Sequence, residues 1–202
     1  MAEMIKVCLA GDTGVGKTSI VKHFLGDPTG YKFARPTIAV EANPSVQIQS
    51  SEGKLVNLSI WDTAGQEEFR NLVPLYFRNA SVCIVVASYD KYDSFQSVGD
   101  WQDIIFQTCT TCKLILVANK CDLTPSNGIT EDFISDKGRS IAALEVFKTS
   151  AVTGEGIKDL FQYIVDCKDI EADQNFLTGL KDEDKEQLNI AQEPNRDNKN
   201  CC

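Results

Sequence analysis

A glycine-rich segment near the amino end is the first stretch whose residue types could do chemistry. Gly11, Gly16, Lys17 and Thr18 fit the pattern G-x-x-x-x-G-K-S/T, between an apolar run and an amphipathic one. Glycine lets successive main-chain amides point into one concavity, and the amino end of a helix adds its positive dipole. The segment therefore predicts a cradle for phosphate groups. Its expected lining residues are Thr13, Gly14, Val15, Gly16, Lys17, Thr18 and Ser19.

Two side chains of this segment have separate expected roles. Lys17 would reach the β- and γ-phosphates, and the Thr18 hydroxyl would bind Mg²⁺. The pattern alone indicates a nucleoside triphosphate and no particular base, since kinases and ATPases carry it too.

A second segment, Asn119-Lys120-Cys121-Asp122, indicates the base. The Asp122 carboxylate can accept hydrogen bonds from N1–H and the exocyclic amine of guanine, whereas adenine offers neither donor. A site built around a required hydrogen bond can reject the wrong ligand by about 10⁴-fold. Ser150 and Ala151 would add a main-chain N–H for the guanine carbonyl oxygen. We therefore expect guanine, held also by Asn119 and Lys120.

A third segment, Asp62-Thr63-Ala64-Gly65-Gln66, follows an apolar strand. Asp62 is a candidate second ligand for Mg²⁺, acting through water, and the Gly65 amide can meet a γ-phosphate. Gln66 would orient the attacking water. With Lys17, it forms the predicted catalytic pair.

Buried strands must position these segments. Residues 4–10, 81–88 and 113–119 are continuous apolar runs, typical of parallel strands covered by helices on both faces. Residues 45–62 alternate around a turn and predict an antiparallel hairpin whose first strand lies at the sheet edge. Helical spacing is clearest at 157–164. This order predicts a doubly wound α/β domain.

Composition limits the classes of partner and compartment. The formal net charge is −9, so we expect no binding to nucleic acid. No segment suits a bilayer, and the start MAEMIKVCLA lacks the layout of a signal peptide, which favours the cytosol. Eight scattered cysteines show no disulfide framework. Cys109 and Cys112 form a C-x-x-C pair whose role is open between packing and metal or redox chemistry.

The last 33 residues differ from the rest. Residues 170–202 are rich in Asp, Glu, Asn, Gln and Lys and contain too few apolar residues to offset chain entropy. We expect one domain over 1–169, followed by a flexible acidic tail over 170–202.

With GDTGVGKTS, RPTIAVE, WDTAGQEEFR, NKCDL and SAVTGEG in this order, the chain resembles a small Ras-like GTPase. WDTAGQEEFR and the terminal Cys201-Cys202 make it most similar to the Rab proteins of membrane traffic. The resemblance implies a P-loop fold with a six-stranded, mostly parallel sheet, one antiparallel edge strand and five helices. It also implies a GDP/GTP cycle with slow hydrolysis, in which the GTP form recruits effectors.

The resemblance assigns further residues. It makes Thr37 a Mg²⁺ ligand on a loop that closes only over γ-phosphate, and Tyr31 the aromatic cover of guanine, with Phe33 as the alternative. Cys201 and Cys202 become prenyl acceptors, whose two lipids would attach the protein reversibly to the cytosolic face of an intracellular membrane. The effector surface would include Ile38, Trp61 and Tyr76. The expected partners are an exchange factor, an activating protein, effectors and a prenyl-dependent chaperone, with the chain itself a monomer.

Several positions depart from the Rab pattern. Ala42 replaces an aromatic of the effector triad, and Val152 replaces the lysine common beside the base. Thr13 is bulkier than the residue usual next to the γ-phosphate and could crowd Gln66. This leaves an alternative, a nucleotide-binding scaffold of another Ras branch with negligible hydrolysis.

Overall fold

The computed structural model describes residues 4–29, 40–42, 45–63 and 76–172, and for 40–42 only the main chain. The strands are β1 (Met4–Ala10), β2 (Val40–Ala42), β3 (Val46–Gln49), β4 (Leu55–Thr63), β5 (Val82–Ser88), β6 (Lys113–Asn119) and β7 (Val146–Thr149). The helices are α1 (Lys17–Phe24), α2 (Tyr92–Gln96), α3 (Val98–Phe106), α4 (Glu131–Ser140) and α5 (Ile157–Asp166).

The strands form a single mixed sheet in the order β2-β4-β1-β5-β6-β7, and β3 also pairs with β4. The segments β2 and β3 run antiparallel to successive stretches of β4, residues 61–63 and 55–58. They share one edge position, so the sheet is six strands wide. All other pairings are parallel. This confirms the predicted fold class, with the edge strand divided in two.

The apolar runs occupy the centre of the sheet. All of β5 is buried, as is β6 after Lys113, because helices cover both faces. On one face Ile5, Val7 and Leu9 pack with side chains of α1 and α5, where the rings of Phe24 and Phe161 stack at 3.8 Å. On the other face the core contains side chains of α2, α3 and α4, among them Phe95, Trp101, Ile105 and Ile134.

The periodicity expected for α5 is observed. Ile157, Leu160, Phe161 and Ile164 are its buried residues. The first helix begins at Lys17, two residues before the predicted start at Ser19, because the last turn of the glycine-rich loop already has helical hydrogen bonding from Ile20 to Gly16. Among the described residues, no helix is long and apolar enough to cross a bilayer.

Candidate functional site

The glycine-rich loop joins the carboxyl end of β1 to the amino end of α1. Gly11 has φ +136°, and a Cβ there would lie 2.3 Å from the main-chain oxygen of Val86. Gly16 has φ +103°, and a Cβ there would meet the Asn119 amide nitrogen at 2.3 Å. Both positions require glycine for backbone conformation and for space. The loop is therefore folded tightly against two neighbouring strands, with the amino end of α1 at its base.

Lys17 lies inside this loop. Its side chain is 5% exposed, and Nζ donates to the main-chain oxygens of Gly11 at 2.7 Å and Asp12 at 3.0 Å. Burial lowers the pKa of Lys17 to about 8, against the opposing attraction of Asp62 and Asp12. The ammonium group beneath the loop has lost most of its hydration, which disfavours its charged form. A bound anion would stabilise that charged form.

Nucleotide binding at pH 8 is expected to take up protons. The pKa of Lys17 is about 8 without ligand, and a phosphate beside the ammonium group raises it. At that pH Lys17 is neutral in roughly half of the ligand-free molecules, so binding takes up about half a proton per molecule. Nucleotide affinity then falls as the pH rises further. Calorimetric titration with GDP in two buffers of different ionisation enthalpy measures the uptake. Identical apparent enthalpies in both buffers, or equal uptake by Lys17→Met, would contradict this account.

The predicted metal ligands from two elements meet beside Lys17. Thr18 Oγ1, in the first turn of α1, donates to Asp62 Oδ2 near the end of β4, at 2.5 Å. Asp62 is 1% exposed. A hydroxyl and a carboxylate oxygen side by side suit Mg²⁺, a hard cation that prefers oxygen ligands. The donor set present therefore fits the ion, with Thr18 and Asp62 as the side chains that would hold it.

Asn119 connects the second segment to the glycine-rich loop. Its Nδ2 donates to the main-chain oxygen of Val15 at 2.8 Å, and Thr149 Oγ1 donates to its Oδ1 at 3.0 Å. Asn119 is 1% exposed. The two loops lie 104 residues apart in sequence, yet one amide group joins them. The phosphate cradle and the predicted base loop are therefore parts of one site at the carboxyl ends of β1 and β6.

The residues expected around the base are also together. Ser150 Oγ donates to Asp122 Oδ1 at 2.6 Å and accepts from the amides of Val152 and Thr153 at 3.2 and 3.1 Å. Asp122 is solvent-exposed, so its carboxylate is accessible to a ligand. Lys120 has φ +63° and pairs with Asp90 at 2.9 Å. The hydroxyl of Ser150 thus orients the carboxylate that would select guanine.

Three contacts of the glycine-rich loop and helix α1 were not predicted from sequence. Trp101 Nε1, on α3, donates to Asp12 Oδ1 at 2.8 Å, and Lys91 Nζ donates to the main-chain oxygen of Thr13 at 2.9 Å. His23 Nδ1 lies 3.0 Å from the main-chain oxygen of Ala151. No local pattern marks these partners, because each pair is far apart in sequence.

Some predicted residues lie outside the described ranges. These are Tyr31 and Phe33, Thr37, Ile38, Gly65, Gln66, Cys201 and Cys202. Of the expected effector surface, Trp61 and Tyr76 are described, with ring centroids 6.4 Å apart. Trp61 is only 5% exposed, and Lys6 Nζ lies 4.2 Å from its ring centre.

Comparison with known proteins gives consistent results. Residues 6–169 match the sequence profile of the Ras family. Ras-related protein Rab-22A of Mus musculus is 35% identical over 200 residues, which cover 98% of this chain and 97% of the relative. Ras-related protein Rab-31 of Rattus norvegicus is 36% identical over 161 residues, or 79% and 80% of the two chains. GTP-binding protein YPT52 of Saccharomyces cerevisiae is 32% identical, covering 98% of each.

Proposed function

The chain belongs to the Rab branch of the Ras family of small GTPases, and on that premise we propose how its own residues run a GTP-dependent switch. A GTPase converts GTP to GDP and phosphate, and in Rab proteins this conversion switches membrane traffic. One observation carries the proposal: the Asn119–Val15 hydrogen bond joins the phosphate cradle to the base loop. A ligand that spans both would place its phosphates in the cradle and its base beside Asp122, whose carboxylate favours guanine.

Lys17 supplies positive charge where the β- and γ-phosphates would lie. Main-chain amides of the loop and the amino end of α1 share the remaining charge. Thr18, Asp62 and Thr37 are the residues that would hold Mg²⁺, which would supply further positive charge beside the phosphate oxygens. Gln66 holds a water in line with the γ-phosphate, and the Gly65 amide meets that phosphate when the GTP form closes.

Unaided turnover should be slow. The carboxylates of Asp12 and Asp62 at the cradle already accept hydrogen bonds from Trp101 and Thr18, and the Lys91 ammonium group is bonded to the Thr13 carbonyl. Intrinsic hydrolysis by Ras proteins is on the order of 10⁻⁴ s⁻¹, and an activating protein accelerates it about 10⁵-fold. We expect the same dependence here, with an exchange factor to release GDP.

Substitution of Gln66 tests the hydrolytic role. Gln66→Leu is expected to lower single-turnover GTP hydrolysis, with an activating partner present, by about 10² or more, since it removes a group that acts mainly in the transition state. Guanine nucleotide affinity should stay unchanged. Gln162→Leu, on the distant helix α5, is the matched control. Hydrolysis that Gln66→Leu leaves unaltered would contradict the role of Gln66, and negligible hydrolysis by the unsubstituted protein would favour the scaffold alternative with bulky Thr13.

The carboxyl terminus supports a proposal of membrane attachment. Residues 170–202 contain eight acidic and four basic residues, so no basic patch would assist binding to anionic lipids. A single lipid chain binds a bilayer only marginally, whereas two give stable anchoring. We therefore assign prenyl groups to both Cys201 and Cys202 and a prenyl-dependent chaperone to the cytosolic form. Mass spectrometry of the C-terminal peptide from cells tests this assignment, and two unmodified thiols would refute it.

A further inference from the structure

The C-x-x-C pair has no part in nucleotide binding. Cys109 and Cys112 lie in the connection between α3 and β6, and each is 6% exposed. Cys109 Sγ donates to the main-chain oxygen of Ala80 at 3.3 Å, and Cys112 Sγ lies 3.3 Å from the main-chain oxygen of Cys109 itself. The two thiols therefore belong to one tight turn. Both are free thiols in this structure.

Two more thiols lie behind this turn. Cys8 and Cys83 face each other in register on β1 and β5, and both are fully buried. Cys83 belongs to the same buried core cluster as Cys8, Cys109 and Cys112. We call these four residues the thiol cluster. Among the described residues, no group of His, Cys, Asp or Glu side chains is arranged to hold a metal ion, so metal binding does not explain the cluster.

The cluster makes its members chemically unequal. Interaction with the thiols of Cys109 and, less strongly, Cys83 lowers the pKa of the Cys112 thiol. The same interaction with Cys112, followed by burial, raises the pKa of Cys109. Because the thiolate is the nucleophile in thiol–disulfide exchange, the direction of these pKa shifts agrees with attack by Cys112, which, unlike Cys109, also lines a surface groove.

Access also separates the members. Cys112 lines an open groove of about 830 Å³ at the end of the sheet opposite the nucleotide loops. The charged side chains that line the same groove are Lys113, Lys168, Asp169 and Glu171, so positive and negative charges balance there. Cys8 and Cys83 have no exposed surface. A small oxidant therefore meets Cys112 first and cannot reach the inner two thiols.

We propose that Cys109 and Cys112 form a reversible dithiol–disulfide site for small disulfides of the glutathione class. The Cys112 thiolate attacks one sulfur of glutathione disulfide, the S–S bond breaks, and one glutathione thiolate leaves and takes a proton. The deprotonated Cys109 sulfur then attacks Cys112 in the mixed disulfide and expels the second glutathione. The protein pair loses two electrons and two protons, and glutathione disulfide becomes two glutathione molecules.

The chain offers a direct assay. The tryptic peptide 92–113 contains Cys109, Cys112 and no other cysteine or internal Lys or Arg. The full-length, GDP-loaded protein is equilibrated in buffers of increasing glutathione disulfide content, quenched in acid, alkylated and digested. We expect a growing fraction of unalkylated peptide that is lighter by two hydrogen atoms and is restored by dithiothreitol. A peptide that keeps both thiols or only accumulates glutathione adducts at the most oxidising ratio, or a Cys83–Cys112 link, would overturn the proposal.

Variants assign the two roles. Cys109→Ser should trap glutathione on Cys112, whereas Cys112→Ser should slow modification of Cys109 by about tenfold or more. Cys167→Ser is the control, since this partly exposed thiol lies at the end of α5 outside the cluster and should leave oxidation of the pair unchanged. Equal adduct formation in the two cluster variants would refute the assignment. Nucleotide affinity is measured in parallel, so failure of this proposal is distinguishable from failure of the GTPase function.

Discussion

Lys17→Ala is expected to lower the affinity for GDP and GTP by about 10²–10⁴-fold, because it removes charge-assisted hydrogen bonds to the β-phosphate of both and to the γ-phosphate of GTP. The effect should be large since Lys17 is buried under the loop and its ammonium group is pre-positioned by the Gly11 and Asp12 carbonyls. Dissociation of a fluorescent GDP analogue measures the change, with circular dichroism to show that the variant is folded.

Lys91→Ala is the matched control for Lys17. Its ammonium group also bonds to a carbonyl of the same loop, that of Thr13, but in an exposed position. Exposed charges contribute little in water, so we expect a change of less than about fivefold. An equal loss of nucleotide affinity in Lys17→Ala and Lys91→Ala would mean that positive charge near the loop, wherever it is placed, holds the nucleotide. The buried position of Lys17 would then have no special role. Retention of nanomolar affinity by Lys17→Ala would remove the phosphate cradle from this account.

Asp122→Asn is expected to invert the base preference from guanine to xanthine. The carboxylate accepts from N1–H and the 2-amino group of guanine, whereas the asparagine amide donates to the 2-carbonyl of xanthine. Each mismatch leaves a polar group without its partner, so we expect GTP affinity to fall by about 10²-fold or more and XTP affinity to rise. Competition of GTP and of XTP against a bound fluorescent nucleotide analogue gives the ratio of the two affinities.

Ser150→Ala tests how much the orientation of the Asp122 carboxylate matters, apart from its recognition of the base. It removes the hydroxyl that donates to Asp122 Oδ1 and accepts two loop amides. The affinities for GTP and XTP should both fall by about tenfold, and the preference for guanine over xanthine should be kept. Unchanged GTP affinity in Asp122→Asn would contradict the role assigned to that carboxylate, whatever Ser150→Ala does.

The sequence predicted the sheet well because its central strands carry a strong signal. Residues 4–10 and 113–119 are continuous apolar runs, and burial on both faces is the physical cause of such runs. Their observed bounds, Met4–Ala10 and Lys113–Asn119, agree with the prediction. The division of the edge strand into β2 and β3 was not predicted, since an edge strand is paired on one side only and its pattern constrains its length weakly.

The site was predictable only as separate segments. Spacing alone placed Lys17, Asp62 and Asn119 at loop ends, but it could not show that the Asn119 amide contacts Val15 or that Trp101 donates to Asp12. Those contacts depend on strand order and helix rotation. The thiol cluster has the same origin: its members come from β1, β5 and the α3–β6 connection, and only the register of the sheet brings them together.

Titration calorimetry of the nucleotide-free, full-length protein in the presence of Mg²⁺ tests the central claim most directly. The account predicts one tight site per chain for both GDP and GTP and no measurable binding of ADP or ATP at the same concentrations. Absence of guanine nucleotide binding, or equal binding of the adenine nucleotides, would contradict it.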